Sequence, residues 1–339
     1  MRPAEAAKFA CLCINAVTAN ELLGASGDLG GEFNLGSPTE KFDLDLWAEA
    51  VGKRRVREIN ESNVWIWAFR HSDRLAVTDA ENRELEERMF RFWKGLLLNR
   101  PPLVHSAWIL TGSQRDGVSD VATFSSVSHI FIKEAPFPIT LATLRGASET
   151  AQHLELALAS GDLRGHVERG LTAFFGAMGN QFLDESILAL ERSLEGILHP
   201  NDKAQFVKRA ARILNFDEEA TSSLEGVLAE AYDVRSGFTH AQPVEVVFPA
   251  LSPEQAVQRA QQLQTLLYFA ASRAYRAVLK EPALGRQFAA EGIGEYWGKV
   301  VTEKRPPPFV VQIAEHEWLL EHDDTRYLRD PTSVERLQK

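Results

Sequence analysis

Residues 131–140 read FIKEAPFPIT, and the hydrophobic pattern of the chain changes across them. Before this stretch, apolar residues come in short runs of β-branched and aromatic character. After it, they recur at three- and four-residue spacing as far as about residue 280. Pro136 and Pro138 lack a backbone N–H and break regular structure, so one kind of architecture must stop here before another begins. The expected fold is therefore an α+β N-terminal domain over 1–138, an all-α helical bundle over 139–282 and a C-terminal extension over 283–339. A length of 339 residues agrees, because it exceeds what one hydrophobic core usually organises.

In the first part, KFACLCINAV and NVWIWAFR have strand composition, and period-two alternation puts Trp65 and Trp67 on one face. The tryptophans fit a core better than a base-stacking platform. GASGDLGGEFNLGSP is dense in glycine and serine and reads as a loop. It has neither the G-x-G-x-x-G spacing nor a following lysine of a nucleotide-binding loop. TDAENRELEERMFRFWKGLLLNRPP reads as a helix. Thr78 or Asp79 caps its start, Leu85, Met89, Phe92, Trp93, Leu96 and Leu97 form its apolar stripe, and Pro101 and Pro102 stop it. HSAWILTG and VATFSSVSHIFI read as two strands joined through SQRDGVSD.

The second part reads as consecutive helices: TLATLRGASETAQHLELALAS, LRGHVERGLTAFFGAMGN, DESILALERSLEGIL, NDKAQFVKRAARILNF, DEEATSSLEGVLAEAYDVRSGFTHA and SPEQAVQRAQQLQTLLYFAASRAYRAVL. Ile187, Leu190, Leu194 and Ile197 sit at the spacing of a buried stripe. In the last of these helices proline opens the first turn. Arg273 and Arg276 interrupt its apolar run well short of membrane-spanning length. Beyond residue 283, KRPPPFV reads as an extended polyproline segment and IAEHEWLLEHDDTRYLRDP as a final helix. His316 and His322 lie six residues apart, not at the H-E-x-x-H spacing of a zinc helix, so no metal is expected.

The formal net charge is -10, which argues against broad binding to duplex DNA yet leaves room for a local phosphate site. The only cysteines, Cys11 and Cys13, stand too close in sequence for an ordinary disulfide and fit a reducing compartment. MRPAEAAKF lacks a signal-peptide core, so a cytoplasmic protein without a membrane span is expected.

One short stretch carries most of the chemistry. AEAYDVRSGFTHAQP ends a helix with Tyr232, Arg235, Ser236 and His240 close together, ahead of Pro243. An arginine and a histidine five residues apart are a weak signal alone. Arg100 and His105 repeat it in RPPLVH, where two prolines keep it out of a helix. A cation at a helix end can also do no more than oppose the helix dipole. The context of the second copy is richer. It closes a helix with an apolar side of Leu224, Val227, Leu228, Ala231, Val234 and Phe238, behind a helix with Glu191 and Glu195 in its stripe.

YDVRSGFTHA resembles the signature of HEPN domains, in particular the Apea-like branch, over about residues 140–282. That resemblance implies a helical bundle that forms homodimers with the two motifs facing each other. It implies metal-independent endoribonuclease activity, often in defence or toxin–antitoxin systems. Other members have lost catalysis and only bind RNA or a nucleotide, so the alternative for this chain is a non-catalytic RNA-binding, nucleotide-binding or dimerisation module with a sensing N-terminal domain. No cofactor is implied. The expected partners are RNA or a nucleotide, a second copy of the chain, and an antitoxin or other partner protein.

Cleavage of RNA without a metal requires deprotonation of the 2′-hydroxyl, stabilisation of the phosphorane and protonation of the leaving 5′-oxygen. Arg235 suits the phosphate because its planar fork holds two oxygens and keeps its charge. His240 can exchange protons near neutral pH. Ser236 is placed to orient either, and Tyr232 to position a base or pack beneath. Glu195 is expected as an orienting partner of Arg235 or of the basic helix. Lys208, Arg209 and Arg212 are expected to form a small phosphate-binding or RNA-binding face, or else a solvated helix side. On an ideal helix Arg235 and His240 stand about 140° apart. They can meet if the helix loosens at Gly237, if the arginine swings round, or if two chains share the site.

Overall fold

The computed structural model describes residues 7–37, 44, 48–49, 51–72, 79–99, 102, 104–115, 118–127, 138–161, 163–214, 218–280 and 297. Two compact units divide at Leu156/Ala157, not at 138/139.

The first unit is built on a six-stranded antiparallel sheet, ordered β2-β3-β4-β1-β5-β6. Strand β1 (Ala7–Ala16) lies between β4 (Val64–His71) and β5 (Val104–Arg115), which pair both its edges, and with a helix against each face of the sheet nearly every residue is buried. That is why its sequence is apolar without alternation. Phe9, Cys11 and Cys13 join Trp65, Trp67 and Leu110 on one face, where Val56 and Ile59 of helix α1 (Lys53–Asn60) complete the core. Leu12, Ile66 and Ile109 face the other way. Helix α2 (Ala80–Asn99) lies on that side, with Leu85, Met89, Phe92, Trp93, Leu96 and Leu97 buried. The Phe92 ring meets Phe33 of β3 (Phe33–Leu35) at 4.9 Å. Asp79 caps α2, its Oδ1 accepting from the backbone N–H of Glu81 and Asn82.

Three sequence expectations change here. The glycine-rich stretch contains a short hairpin, because β2 (Gly27–Gly30) pairs with β3. Positive φ at Gly30, Gly31 and Glu32 (87°, 59° and 71°) turns the chain tightly enough for so few residues to pair. The strands β5 and β6 (Val118–Ser126) extend into the expected loop SQRDGVSD, pairing as far as Arg115 and Val118, while β6 ends at Ser126 and residues 128–132 of the expected second strand lie outside the described residues. The domain boundary moves for a packing reason. Helix α3 (Leu141–Ser160) is fastened to the sheet unit over most of its length. Ser148 Oγ donates to the Gly30 carbonyl at 2.7 Å, and Asn99 Nδ2 to Thr150 Oγ1 at 2.8 Å. The prolines end the β pattern, but the packing follows α3.

The second unit is helical: α4 (Gly165–Gly179), α5 (Leu183–Leu198), α6 (Lys203–Leu214), α7 (Glu218–Thr239), the short α8 (Val244–Val247) and α9 (Pro253–Lys280). Ile187, Leu190, Leu194 and Ile197 of α5 are fully buried, each contributing about 2 kcal/mol through lost apolar contact with water. Asp202 caps α6, its Oδ1 accepting from the Gln205 N–H at 2.8 Å. Among the described residues no helix is long and apolar enough to cross a membrane. The polyproline segment, the expected last helix with His316 and His322, and all of the extension except Trp297 lie outside the described residues.

Candidate functional site

Helix α7 carries the motif, and its regularity decides the geometry. It remains α-helical through Gly237 to Thr239, so the loosening allowed for at Gly237 does not occur. Gly237 has a packing reason instead. A Cβ there would stand 2.6 Å from Val247 Cγ2, where the chain folds back through α8. The helix stops at Ala241, whose φ of 52° is left-handed, and Gln242 N–H returns to the Gly237 carbonyl at 3.1 Å. Arg235 and His240 thus keep their roughly 140° separation. Arg235 turns toward α5, whereas His240 is exposed just beyond the helix end. The structure does not bring the two together within one chain.

Arg235 is held from three sides. Its Nη1 donates to Glu195 Oε1, its Nε stands 3.9 Å from Glu191 Oε2, and its guanidinium lies 5.5 Å from the Tyr232 ring centroid. Tyr232 packs in turn on Phe206 of α6, ring to ring at 5.3 Å. This cage leaves 31% of the Arg235 side chain in solvent. Ser236 is exposed one residue on.

Glu191 is the residue that sequence reasoning undervalued. It is 1% exposed, and neither carboxyl oxygen has a hydrogen-bond partner. Burial pushes its pKa up to about 9, against the pull of Arg235 and with a further push from Glu195. At neutral pH it therefore keeps its proton, and the charges on Arg235 and Glu195 balance. The only sequence signal was its place in the apolar stripe, one turn before Glu195.

The expected basic face does not assemble. Lys208 is exposed, but Arg209 is buried and points inward. Its Nη1 donates to the carbonyls of Leu198 and His199 at 2.7 and 2.6 Å. Helix α5 ends at His199 in a left-handed conformation (φ 45°), and its last carbonyls need donors. Arg209 supplies two, and Trp297 supplies the third through Nε1 to Ile197 O at 2.9 Å. Arg209 is thus a helix cap, not a phosphate ligand. The Arg212 side chain lies outside the described residues.

The sequence also gave no sign that His166 and His199 meet. Their rings stand edge to face at 4.9 Å. Arg169 Nη2 is 3.1 Å from His166 Nδ1, and because a guanidinium only donates, Nδ1 must be the unprotonated nitrogen. Partial burial, then the nearby His199 and Arg169, hold the His166 pKa below its ordinary value. On the other side of α7, Ala229, Glu230, Asp233 and Val234 border a pocket of about 530 Å³, closed by Val247, Phe248 and Leu251. Arg259 lines it with its charge met by Glu230 and Gln262. Among the described residues no three His, Cys, Asp or Glu side chains are grouped to share a metal ion.

Comparisons with family models, with curated proteins and with solved structures give no match.

Proposed function

We propose that the helical unit is a metal-independent endoribonuclease of HEPN type, working in the cytoplasm as a homodimer. One observation carries this reading. Arg235 is fixed by the Glu195 carboxylate and the Tyr232 ring yet keeps nearly a third of its side chain in solvent, five residues before an exposed histidine. A guanidinium held in place but still reachable suits the non-bridging oxygens of a phosphodiester. His240 of one chain takes the proton of the 2′-hydroxyl, whose oxygen attacks phosphorus. His240 of a second copy gives a proton to the departing 5′-oxygen. The helix geometry favours two chains, since one chain's own Arg235 and His240 face different directions. The products are a 2′,3′-cyclic phosphate and a 5′-hydroxyl. The resemblance to defence and toxin–antitoxin members adds an antitoxin or other protein that restrains the activity.

The test is incubation of the pure protein with labelled single-stranded RNA in EDTA. The reading expects cleavage that persists under chelation and falls at least ~100-fold in Arg235→Ala and in His240→Ala. Intact RNA with active-site variants indistinguishable from wild type contradicts it.

A second reading, a binding module without cleavage, draws on the Arg235–Glu195 pair, because a guanidinium already met by a carboxylate attracts phosphate less. It expects RNA that stays uncut while Arg235→Ala weakens its binding.

A further inference from the structure

The sheet unit takes no part in that chemistry, but it carries an unusual run of positive charge. Helix α1 reads KRRVREIN. Val56 and Ile59 are buried against the sheet, which leaves Lys53, Arg54, Arg55 and Arg57 on the solvent side. Side-chain exposure reaches 84% for Arg54 and 69% for Arg57. Four cations in five residues run against the balance of a chain with net charge -10.

Two of the four have weak local partners. Arg54 Nε stands 2.9 Å from Glu58 Oε1 and Arg57 Nε 3.8 Å from Glu61 Oε1, both exposed one-turn pairs of the kind that yield readily to a phosphate. Lys53 and Arg55 have no acidic partner among the described residues. Arg55 instead lies over the indole of Trp108 on β5, 5.8 Å from the ring centroid. Trp108 is half-buried at the margin of the aromatic core, as are Phe69 and Phe124 on neighbouring strands.

The chemistry of this surface selects its partner. A membrane-binding helix would present apolar side chains beside its cations, whereas the outer face of α1 offers only charged and polar groups. A guanidinium layered on an indole provides a flat cationic platform for a base, with further cations beside it for the backbone. Bases are free to stack on such a platform only when they are unpaired.

We propose that α1 and Trp108 form a binding surface for single-stranded RNA on the sheet unit. The proposal rests on the reading that the protein acts on RNA. It assigns recruitment to a place chemically separate from Arg235 and His240.

The test measures binding by the full chain of a fluorescent single-stranded oligonucleotide of about 12 residues, 2′-O-methylated so that it cannot be cut through the 2′-oxygen. The double variant Arg54→Glu/Arg55→Glu is expected to weaken binding at least ~10-fold near 0.1 M salt. It should also lower the slope of log affinity against log salt by about 0.7, through the lost phosphate contact of Arg54. Trp108→Leu is expected to weaken binding about 5-fold or more, and Trp108→Phe to restore most of it, with thermal melts confirming that both are folded. Wild-type affinity in the double variant overturns the proposal. So does wild-type affinity in Trp108→Leu, or a preference for anionic phospholipid vesicles over RNA. Cleavage of unmodified RNA, followed in parallel, separates the two ideas. Binding that depends on α1 in a protein that never cuts upholds this surface and sinks the nuclease. Cutting that ignores α1 does the reverse.

Discussion

Lys8 of the sheet unit and Glu191 of the helical unit are both almost completely buried, and the two are treated in opposite ways. In the sheet unit Lys8 is fully buried on β1, with its ammonium on Asp79 and on Glu81 at 2.8 Å. Ser72 Oγ donates to the same Glu81 carboxylate at 2.8 Å. Burial alone would lower the Lys8 pKa, but the hydrogen bonds and charges of Asp79 and Glu81 overcome it and leave the value raised. In the helical unit Glu191 is equally buried, has no hydrogen-bond partner and stays protonated. A closed ion-pair cluster at the start of α2 ties a helix to a sheet. An unsatisfied acid beneath an arginine costs stability and persists where a site needs it. The difference makes Lys8 a structural tie, whereas Glu191 lies beneath Arg235, the residue on which the proposed function depends.

The contrast can be broken most forcefully at Lys8. Lys8→Met leaves Asp79 and Glu81 without their shared cation, and should lower the melting temperature by roughly 5 °C or more at pH 7. RNA cleavage per folded molecule should not change. A loss of activity without loss of stability would move Lys8 into the functional class.

Glu191→Gln should act in the opposite direction and depend on pH. The folded pKa is raised from 4.5 to about 9. Below pH 4.5 both folded and unfolded chains are protonated and the substitution is neutral. Above it the unfolded chain releases the proton more readily, so wild-type stability falls as pH climbs toward 9. Gln, which cannot ionise, should therefore raise the melting temperature by a few degrees at pH 8 and by nothing at pH 4. An equal gain at both pH values would mean that burial is not the cause.

The smallest effect is expected at Lys208, which shares a helix with the buried cap Arg209 but faces solvent. Lys208→Ala should change cleavage and RNA affinity by less than about twofold. A larger loss would restore a phosphate-binding role to that helix.

What the sequence revealed followed local rules. Period two placed Trp65 and Trp67 together, and period 3.6 placed the α5 stripe, because such patterns reflect burial on one face. The cap of α2 was legible as Thr78 or Asp79, and Asp79 supplies it, because capping is a contact between near neighbours. The β2–β3 hairpin was hidden by its glycines, whose turn geometry outweighed their low strand propensity. The unit boundary was hidden because α3 packs by contacts distant in sequence. Arg209 and Arg235 lie on adjacent helices, but one caps a helix and the other remains partly open to solvent. Only the end of α5 distinguishes them, and no spacing rule encodes where another helix's carbonyls fall. The Glu191 state was out of reach for the same reason, since it depends on what covers the carboxyl.

The central claim, that a composite cleft needs an imidazole from each of two chains, is tested by mixing subunits. Wild-type protein would be unfolded and refolded together with increasing His240→Ala protein, and RNA cleavage in EDTA measured per wild-type chain. The account predicts that activity per wild-type chain falls to about half at equal amounts and continues toward zero, because only wild-type homodimers hold both histidines. Activity per wild-type chain that stays constant at every ratio would show each chain working alone and contradict it.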